Sequence, residues 1–286
     1  MLTLAQAKAQ RDRRYCRRPN LRLRNAEDIR RFVDDVGLCL LFPVQNVEFP
    51  SLYQAVCGRA ADTDTSLRNA NINLTWNTKD HALDKRWWYY GKLVRSKATL
   101  VSLDLFSSFY ALSVNFGDPD DYLAEYEAGT LSADAKNIYE ALLNEGSLNA
   151  IDLKRKVGLY GDERKGKFDK AINELQGGLK ILPVGVAEAG AWRYAFIYDL
   201  LTRWLPEVPK QAQAISRSAA RVNILVHHLR NVVYATPKEL TRTFGWSAKE
   251  TDAAIQTLVT QGQAHLGALI KGLENDVVLS TIKSDS

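Results

Sequence analysis

The sequence predicts a mainly α protein with small β wings, built from tandem winged-helix (helix-turn-helix) modules. Three observations carry this expectation. Residues 131–198 read as helix, helix, helix, strand, strand, the order of a helix-turn-helix followed by a β-hairpin wing. Residues 212–282 read in the same order. The two stretches also superpose residue by residue. Leu153, Val157 and Gly158 match Leu240, Phe244 and Gly245 at an offset of 87, and Ala171, Ile172 and Leu175 match Ala254, Ile255 and Leu258 at an offset of 83. A repeated order of caps, apolar positions and glycines is harder to reach by chance than one motif.

The elements follow from local chemistry. Leu2 to Ala7 opens a helix with Thr3 as a cap, and Pro19 ends the segment. Asn25 to Gly37 is a second helix: Asn25 caps it, Glu27 and Asp28 suit its positive end, and Ile29, Phe32, Val33 and Val36 share one face. Leu38 to Val44 is a short apolar run broken by Pro43, and Glu48 to Val56 reads as helical. Residues 59–80 are polar and read as a loop, Lys85 to Arg95 is aromatic and basic, and Thr99 to Leu105 alternates as a strand does. Leu131 to Leu143 is a helix ended near Gly146. Ser147 caps a short helix over 149–157, and Asp162 or Glu163 starts another that Gly177-Gly178 closes. Strands over 179–186 and 192–198 complete the module. Ala212 to Asn231 opens the last module. Thr236 with Pro237 begins its short helix, Ser247 caps Ala248 to Gln261, and strands over 264–270 and 276–282 flank Gly272. The expected domains are 1–116, a helical or winged-helix-like domain with a basic arm, then 117–207 and 208–286, each a winged-helix module.

Composition narrows the function classes. The chain has 286 residues, 46% hydrophobic and 25% charged, which excludes a mainly disordered or collagen-like chain. Three scattered cysteines without a C-x-x-C pair argue against a disulfide framework and for a reducing, cytoplasmic setting. No apolar run is long enough to span a membrane, and the N-terminus has no signal-peptide core. His81, His227, His228 and His265 show no metal-ligand spacing, and neither a G-x-S-x-G nor a P-loop occurs, so no metal and no cofactor is expected. The net charge is +5, but residues 1–31 alone carry ten basic against three acidic side chains, a net +7, which leaves −2 for the other 255. The mildly basic charge is compatible with a polyanion partner, and its whole excess sits at one end.

Residues 196–207, with Tyr198, Asp199, Leu200, Arg203, Leu205 and Pro206, resemble a strand-end motif of the AlkZ-like family of winged-helix DNA glycosylases. Leu2 to Lys8 is similar to that family's first helix, and Val36-Gly37-Leu38 followed by Asn46-Val47 to the segment bearing its catalytic residues. The resemblance implies tandem winged helices around a DNA channel. It also implies excision of alkylated bases, including those in interstrand crosslinks. There the Gly-Leu is followed by a Gln, an apolar residue and a Gln or Asp, which position the attacking water. Here the stretch is Leu40-Leu41-Phe42 or Leu41-Phe42-Pro43. The nearest polar candidates are Gln45 and Glu48, with Asp104 more distant. Family members also run on into a β-domain after the last wing, where this sequence has Lys283 to Ser286.

Three segments are candidates for duplex DNA contact. Arg11, Arg14 and Arg18 fall on one helical stripe, which suits phosphates or an ordinary solvated face. Arg164, Lys165, Lys167 and Lys170 open the expected recognition helix of the middle module. Tyr89 and Tyr90, beside Gly91 in an aromatic run, could stack on a flipped base or fill a core. The expected function is DNA binding of the AlkZ-like type. It would serve DNA repair by a monofunctional glycosylase hydrolysing the bond to alkylated bases, or belong to a relative lacking the catalytic pair. The alternatives are a non-enzymatic winged-helix regulator and a protein-interaction scaffold.

Overall fold

The computed structural model describes residues 2–61, 66, 69–190, 193–268, 270 and 277–280. After α1 (Leu4–Arg14), one order of elements recurs. The first unit comprises α2 (Ala26–Val36), β1 (Leu38–Leu40), α3 (Leu52–Cys57), α4 (Ala70–Leu83), β2 (Trp88–Val94) and β3 (Lys97–Ser102). α5 (Leu103–Tyr110) and α6 (Asp121–Glu127) lead to the second. It holds α7 (Ala133–Glu145), β4 (Leu148–Asn149), α8 (Ala150–Lys156), α9 (Lys165–Gly177), β5 (Ile181–Ala187) and β6 (Ala195–Leu200). α10 (Leu201–Trp204) and α11 (Glu207–Gln213) lead to the third, with α12 (Arg217–Val232), β7 (Tyr234–Ala235), α13 (Pro237–Phe244), α14 (Ala248–Thr260), β8 (Ala264–Ala268) and β9 (Val277–Ser280). The chain is thus mainly helical with small antiparallel sheets. Each sheet places its last strand in the middle: β1-β3-β2, β4-β6-β5 and β7-β9-β8.

The helices start where side chains supply the missing acceptors. Thr3 with Gln6, Thr236 with Glu239, and Ser247 with Glu250 form reciprocal capping boxes. The paired positions of the second and third units are equivalent in burial: Leu153 and Leu240, Ile172 and Ile255, Leu175 and Leu258 are all buried. Gly158 and Gly245 both take positive φ, 69° and 71°, as helix-ending residues require. Gly37 ends α2 at φ 74°, and a Cβ there would stand 2.6 Å from His227 Nδ1.

Each unit has its own apolar core, typified by Ile29 and Trp88, by Ile138 and Leu175, and by Leu225 and Ile255. A further cluster, including Tyr89, Phe106, Leu182, Leu201 and Ile224, draws on all three units and fuses them.

Several expectations change. The polar stretch 59–80 holds most of α4, whose buried face mixes Thr75, Thr78 and Lys79 with Ile72, Ala82 and Leu83, so no apolar period marks it. Lys85 to Arg95 holds a strand, and Leu103 to Leu105 begins α5. Helix α3 starts only at Leu52. Asn149 caps α8 through Ile151 and Asp152, while the Ser147 hydroxyl donates to Asp199 at 2.8 Å. The turn expected around Gly272 lies outside the described residues.

Candidate nucleic-acid interface

The N-terminal arginines do not form a phosphate-facing stripe, which corrects the sequence expectation for Arg11 and Arg14. Arg11 is buried, and its Nε and Nη2 donate to the Val232 carbonyl at 2.9 and 2.7 Å. That carbonyl ends α12, where helical acceptors go unmet, and a guanidinium fork fills the gap. Arg11 also pairs with Glu48 at 3.1 Å. Arg14 donates to Asn231 Oδ1 at 3.1 Å and to the Asp35 carbonyl at 2.7 Å, and it pairs with the Asp35 carboxylate. Arg18 donates to the Ala9 carbonyl at 2.7 Å. The stripe therefore fastens α1 to α12 and α2.

Tyr89 is a core residue, fully buried and stacked on Phe106 with ring centroids 4.0 Å apart, so it cannot meet a flipped base. Tyr90 points to the opposite face of the strand, as alternation demands, and reaches a cleft. On α9, Arg164 donates to the Gly158 carbonyl, while Lys167 and Lys170 are exposed and make no ion pair among the described residues. The Lys165 side chain lies outside the described residues. Helix α9 packs one side against its own core and meets β2 of the first unit, so only its outer side is open.

The clefts bring a different set together. One of about 510 Å3 is bounded by the β2–β3 turn, the start of α12 and the α13–α14 turn, and it carries Arg95, Arg217, Arg221 and Arg242. A second, of about 220 Å3, shares Arg95 and Arg242 with it and adds Glu48 and Glu239. A third, of about 500 Å3, shares Val47 and Glu48 with the second and adds Gln45, Gln54 and Arg17. The three are neighbours through these shared residues and are together called the trench. Arg217 donates to the Ser113 carbonyl at 3.0 Å, and Arg221 pairs with Glu250. Arg95 and Arg242 are exposed and have no partner among the described residues.

Arg95 sits at a two-residue turn closed by the Val94–Lys97 pair, with φ 49° at Arg95 and 56° at Ser96. Such a turn favours Asn-Gly, because positive φ crowds a Cβ. An arginine and a serine held there carry a backbone cost that glycine or asparagine would lessen. Sequence reasoning missed it, although two β-type runs meeting at a turn without Gly or Asn was the available signal.

The segment matching the implied catalytic stretch is apolar in structure as well. Leu40 and Leu41 are buried, and Phe42 packs with Tyr53 and Trp76 at ring-centroid distances of 5.7 and 6.0 Å. Gln45 is exposed on the trench wall. Glu48 is bound on both oxygens, by Arg11 at 3.1 Å and Arg17 at 3.0 Å. Among the described residues no cluster of three or more His, Cys, Asp or Glu side chains could hold a metal, and no helix is long and apolar enough to cross a membrane.

His228 forms part of the trench floor between Phe49 and Phe244, each with its ring centroid 5.1 Å away. Burial, with the Arg11 charge as a smaller cause, pushes its pKa down to about 3. The unfolded imidazole takes up a proton below about pH 6.5 and the folded one does not, so stability falls as the pH falls through that window. Going from pH 6.5 to 5 is expected to cost about 2 kcal/mol through this group. Urea midpoints across that range check it: the loss should be smaller by that amount in His228→Phe.

Comparison with known proteins adds two findings. The family described as AlkZ related matches residues 23–245. Among solved structures, the DNA glycosylase AlkZ of Streptomyces sahachiroi superposes with a TM-score of 0.59 at 13% identity, covering 98% of this chain and 71% of that one. At that identity the likeness is one of fold. No curated protein sequence matches.

Proposed function

The chain belongs to the AlkZ-related family, whose match spans residues 23–245, and from that premise we propose that it binds duplex DNA along the trench in the service of DNA repair. The three units are winged helices in this reading, with module boundaries at 116/117 and 207/208. The observation that carries it is a pair of guanidiniums without partners among the described residues, Arg95 and Arg242, on a trench to which the first and third units both contribute. Lys167 and Lys170 add charge on the open side of α9. Free cations along a concave path are what a sugar–phosphate chain requires, since each neutralised phosphate releases counterions.

The chemistry is a separate matter. The places where the resemblance implies a water-positioning polar pair hold leucine and phenylalanine. Two arginines hold the Glu48 carboxylate, which lessens its power to stabilise a cationic oxocarbenium. The leading reading is therefore a DNA-binding relative without that pair. Excision is the second reading, favoured by one observation: Gln45 stands free on the trench wall beside Glu48.

Two measurements test these readings. Duplex affinity should fall with salt, with a slope of about −0.9 per phosphate contact in log affinity against log concentration. A flat dependence would favour a protein-interaction scaffold. On duplex carrying N-alkylated purines the leading reading expects a shift without base release. Release that disappears in Gln45→Ala, with duplex binding intact, would establish excision instead.

A further inference from the structure

A cleft of about 360 Å3 opens where β2 of the first unit meets α9 and the β5–β6 pair of the second. It shares no lining residue with the trench. Its volume falls in the range of small-molecule sites, about 300–1,000 Å3.

Its walls are of two kinds. Tyr90 and Phe196 offer aromatic rings, and Tyr198 adds a third. The buried Lys79 ammonium lies against two of them, 5.4 Å from the Tyr90 centroid and 4.6 Å from that of Phe196. The other wall is polar: Asp169, Asn173 and Gln176 project from successive turns of α9. None of these three side chains, nor the Tyr90 or Tyr198 hydroxyl, has a hydrogen-bond partner among the described residues. Gln176 is only 5% exposed. Its amide is not among the fully enclosed polar groups, so it opens to the cleft and is available to a ligand there.

We infer that this cleft is a nucleobase-binding site, with the base stacked on Tyr90 or Phe196 and its edge read by Gln176, Asn173 and Asp169. Aromatic faces suit a flat heterocycle. Amides and a carboxylate suit the alternating donors and acceptors of its edge. A phosphate is disfavoured here, because Asp169 is an anion and Lys92 is the sole cation among the lining residues. The base therefore enters either as an extrahelical residue of DNA, which rests on the DNA-binding reading, or as a free nucleoside, which does not.

The test uses 2-aminopurine, whose fluorescence falls on stacking. The probes are its free riboside and a duplex holding one unpaired 2-aminopurine. A fully paired duplex is followed by anisotropy. Saturable quenching is expected with at least one probe, weakened about 10-fold or more by Gln176→Leu and by Asn173→Leu. Asn173 is exposed, so its variant keeps the test valid if Gln176→Leu fails to fold. Both variants should hold the paired duplex as the parent does. Quenching by the riboside alone assigns a free nucleoside, and quenching by the duplex probe alone an extrahelical base. No saturable quenching with either probe, or quenching that survives both substitutions, overturns the inference. Failure to bind paired duplex, with riboside quenching intact, instead overturns the DNA reading and leaves this one standing.

Discussion

Replacing Arg95 and Arg242 together by alanine should weaken duplex binding on the order of 30- to 100-fold near 0.1 M salt, the loss of two charge-assisted phosphate contacts. It should also flatten the slope of log affinity against log salt by about 1.8, because each lost contact removes about 0.9. The expectation rests on their freedom: both are exposed, both border two clefts, and neither is tied to a carboxylate or carbonyl among the described residues. Folding should not suffer. At Arg95 a sharper control exists, because its φ of 49° is one that glycine takes at no cost. Arg95→Gly should keep or slightly raise the melting temperature while losing binding. Arg14→Ala should behave in the opposite way. Its partners are Asn231 and Asp35, so its loss should lower stability and leave the salt slope unchanged. A double variant that binds like the parent at every salt concentration would remove the trench as the DNA path.

The contrast between Arg14 and Arg95 shows what a sequence can reveal. Periodicity placed Arg11, Arg14 and Arg18 on one face, but periodicity does not say what a face meets. Here Arg11 and Arg14 meet the C-terminal end of α12, more than 200 residues away in sequence. The caps of the third unit and the helix-ending glycines of the second and third were legible because they act locally, as Thr236 with Glu239 and Gly245 do. In the first unit, with the same strand order, only α2 was, through its Asn25 cap and its buried Ile29, Phe32, Val33 and Val36. Its α3 and β1 are short, and its α4 buries Lys79 and Thr75 in place of apolar residues. Tyr89 and Tyr90 looked alike in an aromatic run, and only the strand's alternation sends one to the core and the other to a cleft. The clefts join residues from distant segments, and no local signal encodes that.

Asp199→Ala is expected to destabilise the protein by about 2–4 kcal/mol, the range for removing a buried, hydrogen-bonded carboxylate. At about 2–4 °C per kcal/mol for a chain of this size, the melting temperature should drop by roughly 4–16 °C. Asp199 is 3% exposed and accepts from Ser147 Oγ at 2.8 Å, Leu200 N at 2.7 Å and Arg203 Nη1 at 2.7 Å. Arg203, four residues on, also donates to the Leu142 and Leu143 carbonyls at 3.0 Å, in the last turns of α7. The carboxylate thus orients a guanidinium that closes the end of a helix. Arg203 is partly exposed, so water screens its share, and the larger cost comes from the donors of Ser147 and Leu200 losing their acceptor. Asp199→Asn keeps an acceptor and should cost about half as much, and Ser147→Ala about 1 kcal/mol. Salt-dependent duplex affinity should be unchanged in all three, since none of these residues borders the trench. A melting temperature within about 1 °C of the parent for Asp199→Ala would contradict the network. The residues that carried the family resemblance most clearly, Asp199 and Arg203, therefore join β6 to α7, away from the trench. A motif of this kind belongs to the scaffold, so a match to the family says nothing of the apolar stretch Leu40 to Pro43, which offers no polar pair in either register.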